Sequence, residues 1–128
     1  MFDIVPVGVI HSPLKHLKDC PLQEKEDAPP ARVEIYANLA PASRDIRQGD
    51  EIILLTWLHK ADRTVLLTHP RNDDSNPLTG VFSTRSPDRP NPIGLHKVKV
   101  VKVIDEKYFE VASLEVLDQT PVIDIKIN

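Results

Sequence analysis

One cysteine, Cys20, is too few for a disulfide within the chain, so a reducing setting is expected and the thiol is read as incidental. Four glycines in 128 residues leave no Gly-rich phosphate cradle. Neither GxGxxG nor GxxxxGK[ST] occurs, which excludes Rossmann and P-loop nucleotide sites. No apolar run approaches the roughly 18 residues of a bilayer-spanning helix. The opening MFDIVPVGVIHSP has neither the basic start nor the small-residue cleavage site of a secretory leader, so the expectation is a cytoplasmic protein with no membrane partner. The five histidines (His11, His16, His59, His69 and His96) fall at no ligand spacing such as HxxxH, and no CxxC is present, so no metal is expected. Ser83 and Ser86 lie in no GxSxG elbow.

What the chain has is proline, twelve of them, and short runs of β-branched residues. An apolar fraction of 41% and a charged fraction of 27% are ordinary for a globular protein. Its length fits one domain, residues 1–128, able to bury a core without staples. Strand patterns follow one another: DIVPVGVIHS, with Pro6 restricting it to an edge or first strand; ARVEIYANL; EIILLTWLHK, a continuous apolar run read as buried on both faces; and TVLLTH. LHKVKVVKVI alternates until it slips near Val101, as a β-bulge would; YFEVASLEVL and VIDIKI complete the set. Residues 14–30 read as a long loop, and residues 41–48 as room for one helical turn. With almost no helical period, the expected fold is all-β, a single antiparallel barrel of about seven to eight strands with long loops.

The most unusual stretch is GVFSTRSPDRPNPIGLHKVKVVK, residues 80–102. Pro87, Pro90 and Pro92 prevent residues 85–92 from being helix or central strand, and a loop stiffened in this way loses little entropy in aiming a guanidinium. The net charge of −3 argues against binding nucleic acid by overall charge. Its distribution is uneven. Arg85, Arg89, Lys97, Lys99 and Lys102 stand against Asp88 alone, followed by Asp105, Glu106, Glu110, Glu115 and Asp118 against Lys107. Such a strip either steers a polyanion or pairs with its acidic neighbour. From the residues alone, the picture is a barrel presenting a rigid Arg/Pro loop, a strand-end histidine (His59) and carboxylates at Asp118 and Asp124. Such a site suits an anionic or zwitterionic ligand, and its bland alternative is a solvated corner.

GVFSTRSPDRPNPIGL closely resembles the G[VI]FATRSPxRPNPIG block of the TrmO/YaeB/VirR-like family, the S-adenosylmethionine-dependent tRNA adenosine N6-methyltransferases. VGVIHSP is similar to that family's IGVIRSP, LLTWLHK to its apolar strand ending in histidine, and VLDQTPVIDIK to LDGTPVxDIK, with Gln119 in place of the glycine. The resemblance implies a short, single-domain form that binds S-adenosylmethionine without a Rossmann fold and assembles as a homodimer. The implied reaction methylates N6 of threonylcarbamoyladenosine 37 in the tRNA anticodon loop; the alternative is a cofactor-binding regulatory or sensing module. The implied cofactor contacts are Gln23, Glu24, Lys25, Glu26, His59, Lys60, Arg85, Leu95, Ala112, Ser113, Leu114 and Glu115. Within that frame Arg85 suits the cofactor's carboxylate, and apolar walls and backbone groups near Leu95 and Leu114 suit its adenine. Asp118 or Asp124 is the candidate proton acceptor, with Lys126 holding the carboxylate; turn capping is the other reading of both aspartates. Arg89 and Lys97 are the candidate contacts to RNA phosphates.

Overall fold

The computed structural model describes residues 2–15, 29–70 and 73–128. Eight strands follow in chain order: β1 (Gly8–His11), β2 (Ala31–Ile35), β3 (Glu51–Trp57), β4 (Leu67–Thr68), β5 (Thr79–Gly80), β6 (Ile93–Val103), β7 (Tyr108–Val111) and β8 (Pro121–Ile127). Six of them close into a barrel in the order β1-β2-β7-β6-β3-β8, every pairing antiparallel, while β4 and β5 form a separate ribbon. Closure leaves the barrel without a long unpaired edge, the solution expected for short strands with little helix to cover them.

Side-chain alternation sets what faces inward. In β6, Gly94, His96, Val98 and Val100 point into the barrel and Ile93, Leu95, Lys97 and Lys99 point out. In β3, Ile52, Leu54 and Thr56 point in. Ile52, Leu54, Val98 and Val100 meet Ile10, Val33, Phe109, Val111, Leu114, Val116 and Val122 in one core. Full burial of each such side chain contributes about 1.5–3 kcal/mol. Thr56 Oγ1 and His96 Nε2, 2.9 Å apart, satisfy each other inside the barrel. We call the end where β3 finishes and β6 begins the upper end. A 3-10 segment, Ala37–Ser43, closes the lower one.

Several sequence expectations change in detail. β1 is only four residues long, because Pro6 cannot donate to a ladder and the chain before Val7 stays outside the sheet. β2 ends at Ile35, and ANLAPAS turns into the 3-10 segment instead of extending the strand. β3 is not buried on both faces: Ile53, Leu55 and Trp57 point outward and are half-buried. YFEVASLEVL is strand only to Val111. The slip near Val101 is a register shift between Val100 and Lys102 against β7, and Lys102 pairs with Glu110, so part of the basic strip does lie beside the acidic one. Most of the long loop, including Cys20, lies outside the described residues. No helix among the described residues is long and apolar enough to cross a membrane.

Gly8 is where β1 crosses β2 most tightly: a Cβ there would collide with the carbonyl oxygen of Glu34, a backbone atom of the ladder that cannot swing aside. Gly80 has open space around its Cα. Gly8→Ala is therefore expected to destabilise the fold by about 1–3 kcal/mol, and Gly80→Ala to stay within about 0.5 kcal/mol of wild type. Urea unfolding midpoints check the pair, and equal shifts would contradict this packing.

Candidate functional site

The proline-rich loop is held from inside by Arg89. Its Nη1 donates to the carbonyls of Thr84 and Ser86, both at 3.0 Å, and its Nη2 to that of Val81, also at 3.0 Å. Three carbonyls thus share one guanidinium, a use that needs the planar fork of arginine; Val81 O also accepts from the Thr84 amide at 3.1 Å. The structure gives Arg89 this bracing role in place of the expected phosphate contact. A second arginine, Arg63, ties the loop to the turn after β3: Nε donates to Pro90 O at 2.8 Å and Nη2 to Asn91 Oδ1 at 3.2 Å. The Asp62 amide donates to Asp88 Oδ1 at 2.8 Å, and the Leu58 amide to Pro92 O at 2.8 Å. His59 and Lys60, in that turn, are thereby fixed to the loop carrying Arg85.

Arg85 itself is exposed and has no hydrogen bond or ion pair among the described residues. Partial burial, then the charge of Lys60, push the His59 pKa below that of free imidazole against an opposing backbone hydrogen bond at Trp57, so the ring is neutral at neutral pH.

Below this corner lies the outer face of β6, β3 and β8. Strand register places Leu95 beside Leu55 and Leu55 beside Asp124; one row further down, Lys97 lies beside Ile53 and Ile53 beside Lys126. Lys126 Nζ is 3.0 Å from Asp124 Oδ2. That contact, with the Ile125 amide, outweighs partial burial and holds the Asp124 pKa below the usual carboxylate range. Leu95, Lys97, Asp124 and Lys126 thus share one shelf, formed only because alternation turns them away from the core.

The segment after β7 flanks the other side of β6, where the Ala112 amide donates to Lys99 O at 3.0 Å. Two non-glycine residues in the left-handed region, Ser113 (φ 53°) and Gln119 (φ 68°), bracket its course. Leu114 is fully buried in the core, which removes its side chain as an apolar wall and leaves the expected backbone groups: what residues 112–115 can present is backbone, Ala112, Ser113 and the partly buried Glu115. Asp118 accepts from the Ser12 amide at 2.9 Å and pairs with Lys15 at 2.9 Å. Burial raises its pKa, but Lys15, the Ser12 amide and Gln119 together hold it below the usual range. This carboxylate ties the end of β1 to the turn before β8, and its oxygens are engaged.

The structure therefore ties the turn that carries His59 and Lys60 to the loop that carries Arg85, sets Leu95, Lys97, Asp124 and Lys126 on one outer face, and leaves Asp118 as a tie between strands. Gln23, Glu24, Lys25 and Glu26 lie outside the described residues. A cavity of about 330 Å³ between the 3-10 segment and β8 opens at the lower end, and Asp124 and Lys126 of the shelf are among the residues that line it. Among the described residues no cluster of His, Cys, Asp or Glu could hold a metal. Sequence reasoning missed Arg63 and Trp57: the Arg63 Cζ sits 5.0 Å from the centre of the indole. The only available signal was a tryptophan followed six positions later by an arginine, which a strand-to-turn transition folds back on itself.

Comparison with known proteins gives a consistent result. Residues 9–127 match the family described as tRNA-methyltransferase O N-terminal domain. A probable S-adenosyl-L-methionine-binding protein of Methanocaldococcus jannaschii is 50% identical over 99 residues, covering 74% of this chain and 78% of that one. An S-adenosyl-L-methionine-binding protein of Archaeoglobus fulgidus is 39% identical, covering 94% and 85%. A crystal structure of TrmO superposes over the whole chain with a TM-score of 0.80 at 25% identity, and that of TrmO from P. aeruginosa with 0.76 at 26%. The chain spans 57% and 55% of those two solved chains, respectively.

The pKa of Asp118 gives the first test of the site. Because the folded-state value is depressed, the contribution of Asp118 is complete above the ordinary carboxylate range and is lost as pH falls through the depressed value. The stability difference between wild type and Asp118→Asn, expected at about 1 kcal/mol, should be flat near neutral pH and close below about pH 4. Chemical denaturation across that range measures it, and a gap that widens on acidification would contradict the assignment.

Proposed function

The chain belongs to the tRNA-methyltransferase O N-terminal domain family, and from that premise we propose that it is an S-adenosyl-L-methionine-dependent methyltransferase acting on tRNA. The observation that carries the proposal is the contrast between two arginines on one stiff loop: Arg89 is consumed by three carbonyls, while Arg85 is aimed outward with its donors free. A free guanidinium on a rigid loop fits the carboxylate of an amino-acid ligand through paired charge-assisted bonds. Neutral His59 fits the sulfonium end, since it adds no repelling charge. Arg85, His59, Lys60, Leu95 and the backbone of residues 112–115 would hold the cofactor, together with Gln23, Glu24, Lys25 and Glu26.

S-adenosyl-L-methionine, when bound, supplies an electrophilic methyl group on sulfur. The task of the chain is to bind, to orient and to receive a proton, and positioning accounts for most of the rate. The finer reading places the acceptor at N6 of threonylcarbamoyladenosine 37 in the anticodon loop. Asp124, kept ionised by Lys126 and on the same row as Leu95, is the carboxylate placed to take the N6 proton, directly or through water. Asp118 serves as the structural tie. Lys97, beside Leu95 on the outer face and without an ion pair among the described residues, faces the RNA phosphates. The shelf is open in one chain, with Ile93 and Leu95 about 40% exposed, and a second copy closing over it as a homodimer is part of this proposal. The chain acts as one domain in a cytoplasmic setting.

A second reading has its own support. The matched relatives are named for binding S-adenosyl-L-methionine, and the chain spans little more than half of the solved TrmO chains. It makes the protein a cofactor-binding module without tRNA methylation.

Calorimetry with S-adenosyl-L-homocysteine is expected to show binding, weakened roughly 10- to 100-fold by Arg85→Ala; absence of binding by wild type would overturn both readings. Mass spectrometry of tRNA nucleosides after incubation with protein and methyl donor separates them. Methylated threonylcarbamoyladenosine supports the enzyme, and an unmethylated product with intact cofactor binding supports the module.

A further inference from the structure

The most completely built feature that this function leaves unused is the stack of Arg63 on Trp57. Trp57 points outward at the upper end of β3, cross-strand from Ile93 and half-buried on the shelf face. Arg63 lies over the indole with Cζ 5.0 Å from its centre. The guanidinium is also gripped along its edge by Pro90 O and Asn91 Oδ1, leaving Nη1 without a partner among the described residues. The guanidinium carbon therefore lies over an aromatic ring and its edge is fixed, while Arg63 remains an exposed residue. A solvated surface arginine has no such constraint and samples many rotamers.

We propose that the outer face of Arg63 is a stacking platform for a nucleobase, with Trp57 beneath it and the Arg/Pro loop holding it level. The inference rests on the reading of the site given above. Three features select a nucleobase over other flat ligands. The platform combines a cation with a π-surface, the pairing on which unstacked bases are held. The free Nη1 can donate to base or phosphate acceptors. The platform also stands on the loop and turn that carry Arg85, His59 and Lys60, where the proposed reaction brings a purine on each side. The base comes either from the cofactor, as its adenine, or from the RNA, as an extruded loop base. Stacking of one base is worth roughly 1–3 kcal/mol, which corresponds to about 5- to 150-fold in affinity.

Trp57 is the sole tryptophan, so its fluorescence reports on this site alone. The test titrates the full chain with S-adenosyl-L-homocysteine and, separately, with an anticodon stem-loop RNA. It compares wild type with Arg63→Lys, which keeps the charge and loses the plane, and with Asp88→Asn, which removes the charge from the acceptor of the Asp62 amide and so weakens the same loop without touching the stack. One of the two ligands is expected to change Trp57 emission and to bind Arg63→Lys at least about 5-fold more weakly, with Asp88→Asn closer to wild type. Selective loss of homocysteine-analogue binding assigns the base to the cofactor, and selective loss of RNA binding assigns it to the RNA. If both ligands bind wild type and Arg63→Lys equally, or if Asp88→Asn matches the loss in Arg63→Lys, Arg63 is a loop brace and the platform is overturned. If neither ligand binds wild type, the site reading itself fails and the platform fails with it. The emission change in wild type needs no variant, so a misfolded substitution does not decide the outcome.

Discussion

One guanidinium inside a proline-rich loop holds the upper end of this barrel together. Residues 85–92 cannot join a helix or a sheet, because three prolines lack the amide donor and fix the backbone in extended or turn conformations. Arg89 supplies donors where this short stretch has few, collecting the carbonyls of Val81, Thr84 and Ser86. A charged donor to a carbonyl is worth about 1.5–3 kcal/mol, so the brace stabilises a shape that sequence-local forces would leave open. Once that shape is set, Arg63 and the Asp62 amide join it to the turn after β3. Arg85 is then the exposed arginine of the loop, the one that the proposed function assigns to a ligand.

Much of the barrel was legible in the sequence because strand alternation is a local property. β6 shows it most clearly: Lys97 and Lys99 alternate with Val98 and Val100, and the break at Val101 coincides with the register shift against β7. The loop was legible because proline restricts the backbone regardless of surroundings. Other features depend on partners far along the chain. Asp118 reads as a candidate base until the Ser12 amide, 106 positions away, is found bonded to it. Leu114 belongs to a run that looks half-exposed, and only closure of the barrel buries it completely. Arg89 and Arg85 are indistinguishable as letters. Their division into brace and ligand-facing group is decided by three carbonyls whose directions the backbone sets.

The arrangement fits an all-β chain with four glycines to a nucleoside-containing cofactor. A Rossmann site draws on glycine turns and a helix N-terminus to meet a pyrophosphate. S-adenosyl-L-methionine has none, so the demands shift to a carboxylate, a sulfonium and a flat base. In the proposed site these demands fall to an outward arginine, a neutral imidazole and the outer strand face around Leu55 and Leu95, which stand on the barrel strands or on the loop and turn fastened to them. The carboxylates divide in the same way: Asp124 lies on the shelf with Lys126, and Asp118 ties β1 to β8.

In the proposed function Arg89 acts through the shape of the loop, by its three carbonyl contacts, and not by contact with the ligand. The direct test is calorimetric affinity for S-adenosyl-L-homocysteine in Arg89→Lys, together with amide hydrogen exchange of residues 81–92. Lysine keeps the charge and cannot serve three diverging carbonyls, so exchange in the loop should accelerate and affinity should fall by about 10-fold or more, while the β3 and β6 amides stay protected. Unchanged affinity alongside faster loop exchange would contradict the account.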